Sequence, residues 1–245
     1  ISQSGQSLDI VQLARSATEK GAVSVTITTN AISRLAQASQ HVIPILTGSE
    51  LSVATTKTFV TSMVVGLALL AHWKENEALT QAKDDLPSLL RQATSIDWPE
   101  LRTEITEEKG MYVLGLPLAV SNEAALKFKE TCQIHSVPRP RREILRGPVS
   151  IVSGGFPVLA LVSRDASELV ITGVCDQRAG QGTCVYTSSD KIERAKRLDF
   201  VPTRHPLTDS ITQIVSFYTF VEKPARDRGG NPDQPRHLKK VTETK

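Results

Sequence analysis

Ile1-Ser-Gln-Ser-Gly-Gln-Ser-Leu-Asp9 reads as the end of a strand, a tight loop and the start of a helix. Ser2, Ser4 and Ser7 offer hydroxyls, and Gly5 lets the backbone turn sharply enough to aim several N–H groups into one hollow. The helix that follows, residues 8–20, adds the positive end of its dipole, so a monophosphate could be held there without a lysine. A strand-to-helix turn with a serine cap explains the same residues, and this stretch alone leaves both readings open. The chain contains neither GxxxxGK nor GxGxxG, so the nucleotide and dinucleotide phosphate loops lack their signatures.

Outward from that loop, Gly21 ends the helix and 23–28, rich in β-branched residues, reads as a buried strand. Residues 30–40 form a short helix, and 41–46 the next strand, whose Pro44 implies an edge or strand-end position. Strand and helix alternating at this spacing predict a parallel, doubly wound sheet. A polar loop from Gly48 runs into an apolar helix over 52–73, with Thr55, Thr56 and Lys57 in its first turns. Those three residues could face a ligand, or simply be the start of a capped helix with an exposed lysine.

Residues 74–109 turn polar and helical, broken at Trp98-Pro99, and read as a connection between two domains. A second alternating block follows. It comprises a strand at 111–114, a loop at 115–120, and a helix at 121–133 capped by Ser121. Strands at 156–162, 183–187 and 198–201 continue it, with a helix at 166–178. Pro206 opens a last amphipathic helix that Pro224 should kink or end before a polar tail. The fold class expected is α/β, with domain boundaries at 1–73, 74–109, 110–226 and 227–245.

The 245 residues suffice for one large or two ordinary domains. A net charge of +3 is too mild for a nucleic-acid surface, and 4% aromatic residues are too few for a base-stacking platform. Cys132, Cys175 and Cys184 form no CxxC pair and no even framework, which points to reduced thiols and a cytoplasmic protein. The five histidines have no ligand-like spacing, so no metal is expected. The apolar run 63–71 is half a membrane span.

Two charged groupings stand out. Glu123, Lys127 and Glu130 share one helix face, a pattern that is usually a solvated ion-pair face and less often a catalytic one. The cluster Pro138-Arg-Pro-Arg-Arg142, with Arg146 close by, is either a solvated turn or a loop meeting an anionic substrate.

Four stretches taken together resemble the sugar isomerase (SIS) domain family, within it the two-domain proteins related to the isomerase half of glucosamine-fructose-6-phosphate aminotransferase. They are Ser2-Gln-Ser-Gly-Gln-Ser7, Glu50-Leu-Ser-Val-Ala-Thr-Thr-Lys-Thr58, Glu123-Ala-Ala-Leu-Lys-Phe-Lys-Glu-Thr131 and Asn231-Pro-Asp-Gln-Pro-Arg-His-Leu-Lys-Lys-Val-Thr-Glu-Thr244. They occur in order along the whole chain. The closing Leu-Lys-Lys-Val-Thr-Glu-Thr looks most like the subgroup of amino-sugar phosphate deaminases without a glutamine-hydrolysing domain.

The resemblance implies two doubly wound, flavodoxin-like three-layer domains, the first incomplete at its N-terminus, with the active site at the carboxyl ends of the strands. Carried over by position, Ser2, Gln3, Ser4 and Ser7 hold a sugar phosphate, while Val53, Thr55 and Lys239 touch the sugar. Glu130 is the base that moves a proton between the first two carbons of the open-chain sugar. Lys127 supports it, and Lys240 reaches back from a tail that covers the site. The reaction is isomerisation or deamination of a hexose or amino-sugar 6-phosphate, with no metal or organic cofactor. A homodimer is implied, and no nucleic acid or membrane.

One departure concerns ring opening. The family usually has a histidine before Gly147-Pro148, where this chain has Arg146, and a guanidinium does not shuttle protons near neutral pH. His135 could substitute, or the ring could open unaided. The stretch from Pro138 to Arg142 also replaces a normally small, uncharged one and implies a changed sugar pocket, suited to a substrate with an extra negative charge. The alternatives kept open are a sugar-phosphate-sensing module without turnover, favoured by Arg146, and the isomerase part of a glutamine-dependent aminotransferase.

Overall fold

The computed structural model describes residues 1–116, 118–139, 156–236 and 238. The chain divides into two compact units, one built on Ile1–Glu75 and the other on Asn76–Arg236.

In the first unit, helix α1 (Leu8–Glu19) leads through Gly21, at φ +79°, to strand β1 (Val25–Thr28). A single helical turn, α2 (Arg34–Gln37), then connects to β2 (His41–Pro44). The two strands pair in parallel, Val25 opposite His41 and Thr28 opposite Pro44. Pro44 is the last and exposed residue of β2, where its missing N–H costs no ladder bond. Helix α3 (Lys57–Trp73) begins later than the apolar run suggests, because residues 49–56 form an extended loop.

The second unit opens with α4 (Glu77–Ala93) and α5 (Pro99–Ile105), so the polar segment read as a connection belongs to this body. Its sheet contains β3 (Gly110–Leu116), β4 (His135–Arg139), β5 (Val158–Val162), β6 (Val185–Thr187) and β7 (Lys196–Arg197), all parallel. Spatial order is β4-β3-β5-β6-β7, so the chain starts inside the sheet and winds both ways. Helix α6 (Leu118–Lys127) continues into a π-helical turn (Phe128–Cys132); α7 (Glu168–Ala179) and α8 (Pro206–Asp227) follow.

Parallel strands with helices on both faces must be apolar on both. Tyr112, Leu114, Val158, Ala160 and Val162 meet Ile171, Val174 and Cys175 of α7. Met111, Val113, Leu159 and Leu161, alternating with them, are equally buried on the other face. There α6 and α8 pack, and Phe128, Phe217, Phe220 and Trp98 interlock with ring centroids 5.1–6.3 Å apart.

Several local expectations are corrected. Ser121 does not cap α6: the helix starts at Leu118, and the buried Ser121 hydroxyl donates to the Leu118 carbonyl. The expected strand at 198–201 is replaced by Lys196–Arg197, with the Leu198 N–H still donating to Thr187 O. Pro224 does not end α8, which runs on to Asp227. Pro138 lies in β4 rather than in a loop. Among the described residues no helix is long and apolar enough to cross a membrane, and Cys132, Cys175 and Cys184 are free thiols.

Candidate functional site

In the first unit, residues 1–3 run beside the end of β1: Ser2 N–H donates to Ile27 O, and Thr29 N–H and the Thr28 and Thr29 hydroxyls donate to Gln3 O. The chain then turns at Gly5, whose φ is +63°. A Cβ there would lie 2.1 Å from Ser33 Oγ, so glycine is required by both conformation and space. Ser33 is itself fixed, because its Oγ accepts the Ala36 N–H at the start of α2.

The loop's own hydroxyls fold inward. Ser2 Oγ accepts the Gly5 N–H at 3.2 Å, and Ser4 Oγ accepts the Gln6 N–H at 3.4 Å. Ser7 occupies the N-cap position of α1, yet its hydroxyl makes no capping bond. The simple serine-cap reading therefore lacks its bond. What the loop presents is a turn of weakly satisfied N–H and O–H groups at the start of a helix, where β1 and β2 also end.

The start of α3 carries a different arrangement. Glu50 Oε1 accepts the N–H groups of Thr56 and Lys57 at 2.8 and 2.9 Å, and Oε2 that of Thr58 at 3.3 Å. Burial alone would raise the Glu50 carboxyl, but the Thr58 side chain and these three amides outweigh it and hold the group below its ordinary value. This helix start is thus filled by a carboxylate of its own chain. Val53 and Thr55 line the loop and are half-buried, whereas Lys57 is exposed and its ammonium donates to Ser49 O at 2.7 Å. Glu50 had a readable signal, an acid just before a helix, that the reading of Thr55 to Lys57 passed over.

In the second unit, Glu123, Lys127 and Glu130 do share a face, but it is not solvated. Lys127 is 2% exposed, with Nζ 2.7 Å from Glu130 Oε2 and 3.3 Å from Glu123 Oε1. Tyr218, reaching from α8, donates its hydroxyl to the same Glu123 Oε1 at 2.7 Å. Burial pushes the Glu123 carboxyl above its ordinary value, and the Lys127 charge and the Tyr218 hydroxyl pull it back only in part. Glu130 is the open end of this chain of groups, at 18% exposed.

The π turn that carries Glu130 is held from outside. Arg228, just past α8, donates to Cys132 O at 2.8 Å and to Thr106 O at 2.7 Å, tying the turn to the end of α5. Gln133 then leaves the turn in the left-handed region, at φ +56°. Because α6 runs back along β3, this cluster lies where β3 and β4 begin, unlike the serine loop of the first unit. The rule that ligands sit at the carboxyl ends of strands describes the loop and not the cluster. His135 opens β4 and is exposed. Arg141, Arg142, Arg146, Lys239 and Lys240 lie outside the described residues.

The second unit repeats the loop, helix and strand order of the first in residues 163–167, α7 and β6, with β5 leading into its loop. Here the loop is acidic. Asp165 Oδ1 accepts both the N–H and the hydroxyl of Ser167, and the buried Glu168 accepts from Ser189 Oγ at 2.8 Å and Lys191 Nζ at 2.6 Å. The loop's one cation, Arg164, is bound to Asp209 at 2.9 and 3.0 Å.

Known proteins carry the same architecture. Residues 1–72 match the SIS domain. Over 98% of its length the chain is 32% identical to the glutamine–fructose-6-phosphate aminotransferase (isomerizing) of Sulfolobus acidocaldarius, covering 41% of that protein. The chain thus spans about two fifths of the curated relatives it matches. The glucosamine-6-phosphate deaminase of Thermotoga maritima superposes with a TM-score of 0.74 over 98% of this chain and 73% of that one, but at 20% identity, which speaks for fold alone. A crystal structure of a candidate phosphosugar isomerase from Silicibacter pomeroyi DSS-3 shares 50% identity and a TM-score of 0.91, over 95% of this chain and 72% of that one. On fold, sequence and the serine loop together, the chain belongs to the SIS domain family.

Proposed function

We propose that the chain forms the isomerase part of an enzyme acting on a hexose or amino-sugar 6-phosphate. Glu130 is the base. It takes the proton from one of the first two carbons of the open-chain sugar and returns it to the other through an enediol or enolamine. With an amino sugar this converts the C2 amine to an imine; water adds, and ammonia leaves with the ketose phosphate. The carrying observation is the buried ammonium of Lys127, 2.7 Å from a Glu130 carboxylate that stays partly open. Such a cation orients the carboxylate and offsets negative charge developing on the intermediate.

The serine loop suits the phosphate because its N–H and hydroxyl groups, now bonded weakly to one another, can turn to an anion at the start of α1. Ser2, Gln3, Ser4 and Ser7 take that role, and Val53 and Thr55 contact the sugar. Lys239 and Lys240 contact it from the tail, His135 assists ring opening, and Arg146 meets a substrate group. A homodimer in the cytoplasm completes the reading. The likeness to aminotransferases named for isomerisation supports the reaction class.

The test is glucosamine 6-phosphate with the full-length protein and no glutamine, followed by ammonia and fructose 6-phosphate formation. Both products should appear and be lost in Glu130→Gln. Turnover that survives Glu130→Gln removes Glu130 as base; sugar-phosphate binding without turnover in wild-type protein favours a sensing module.

A further inference from the structure

The Lys127 ammonium has two carboxylates in reach, and something must decide how it is divided between them. Glu123 is the more buried, at 8% exposed, and a buried carboxylate competes strongly for a cation. In the structure it does not win: Lys127 stands 2.7 Å from Glu130 and 3.3 Å from Glu123. The Glu123 oxygen facing Lys127 is Oε1, and that same atom accepts the Tyr218 hydroxyl at 2.7 Å. A charge-assisted bond of that length takes up much of the oxygen's accepting capacity.

Position supports the same division of labour. Tyr218 comes from α8, on a stretch that packs the core through Phe217 and Phe220 against Phe128, so its backbone is held by contacts other than its own hydroxyl bond. The hydroxyl is therefore a preset donor, brought to the cluster by the packing of α8 and bonded there to Glu123. Glu123 and Lys127 sit on α6 and Glu130 on the π turn, so the tyrosine is the one member of the group brought from a separate helix.

We infer that Tyr218 is a positioning residue for the isomerisation: by satisfying Glu123 Oε1 it leaves the Lys127 ammonium biased toward Glu130, the base. This inference rests on the function proposed above. Without the hydroxyl, Glu123 Oε1 competes for the ammonium, Lys127 shifts toward it, and Glu130 loses the contact that orients it. Small displacements of a catalytic group are expensive in rate and nearly silent in binding, since phosphate contacts are made elsewhere.

The experiment is a double-mutant cycle on the full-length protein with Tyr218→Phe, Glu123→Gln and both together, assayed for exchange of solvent deuterium into the first two carbons of the sugar phosphate. Tyr218→Phe should lower kcat about tenfold and leave KM within about twofold. Since Tyr218 acts through Glu123, the double variant should be no slower than Glu123→Gln alone. Additive losses, or an unchanged kcat in a Tyr218→Phe protein that melts like wild type, would overturn the inference. Glu130→Gln run in parallel separates the two ideas: exchange that persists there defeats the assignment of the base, whereas exchange lost there but intact in Tyr218→Phe defeats only the role of Tyr218. If Tyr218→Phe melts early, its kcat is read below its melting temperature and compared with the double variant: with Glu123 neutral the competitor for Lys127 is gone, so the double variant must recover most of the lost kcat, and no recovery would overturn the inference.

Discussion

Replacing Lys127 with methionine keeps an unbranched stem of similar length in a tightly packed place and removes only the ammonium. Lys127 is 2% exposed and Glu123 8%, so the carboxylate left behind has little water to turn to. Deleting one partner of a buried ion pair costs about 3–5 kcal/mol. Glu130 is 18% exposed and Tyr218 still donates to Glu123, so the lower end, about 3 kcal/mol, is expected.

The pH dependence is the sharper half of this prediction. Burial already raises the Glu123 carboxyl, and the Lys127 charge is the largest influence opposing that rise. Removing it raises Glu123 further. A carboxyl whose pKa is higher folded than unfolded binds more protons in the folded state, so stability falls as pH climbs past its unfolded value of about 4.3. The difference between variant and wild type should therefore be small near the unfolded value and widen as pH rises above it. Urea unfolding at a series of pH values, followed by tryptophan fluorescence with Trp98 buried at 2% exposure, measures it. A loss equal at every pH, or larger in acid, would refute the account of Lys127 as the neutralising member of the cluster.

Gly5→Ala combines a left-handed backbone with a Cβ 2.1 Å from Ser33 Oγ and should destabilise by about 2–4 kcal/mol, read as a fall in Tm; an unchanged Tm would mean that the turn is not constrained as described. Glu50→Gln should cost about 1 kcal/mol at neutral pH. Because the amides hold Glu50 below its ordinary value, its contribution is present above the unfolded pKa and is lost as pH falls through the folded one. The two proteins should thus converge in acid, and a gap that persists there would contradict that cause.

The fold was legible where local chemistry and burial agree. The stretch from Val23 to Thr28 is rich in β-branched residues, and its last three residues are buried in β1 beside a glycine-made loop, so periodicity and packing point the same way. Boundaries failed where a polar residue or a proline inside an element looked like punctuation. Ser121 resembles a cap but is a buried hydroxyl bonded to the previous turn, and Pro224 sits within a helix that runs three residues past it.

At the site, the spacing of Glu123, Lys127 and Glu130 announced that they meet, but not that they meet out of water. Burial of that face depends on α8, which is distant in sequence. The Tyr218 contact is invisible for the same reason, since nothing in its neighbourhood marks its hydroxyl as aimed at Glu123. Arg228 likewise acts on carbonyls whose position only the folded chain creates.

The acidic loop of the second unit bears on where an anion can sit in it. Asp165 and Glu168 stand at the same point of the loop and helix pattern where the first unit offers hydroxyls and a glycine. A phosphate brought there would meet like charge, and the nearby Arg164 and Lys191 are already engaged by Asp209 and Glu168. The duplicated pattern is electrostatically unequal: one copy places carboxylates of its own chain at the helix start, and the other places hydroxyls there. An anion is thus disfavoured at the second unit's loop by the carboxylates already built into it.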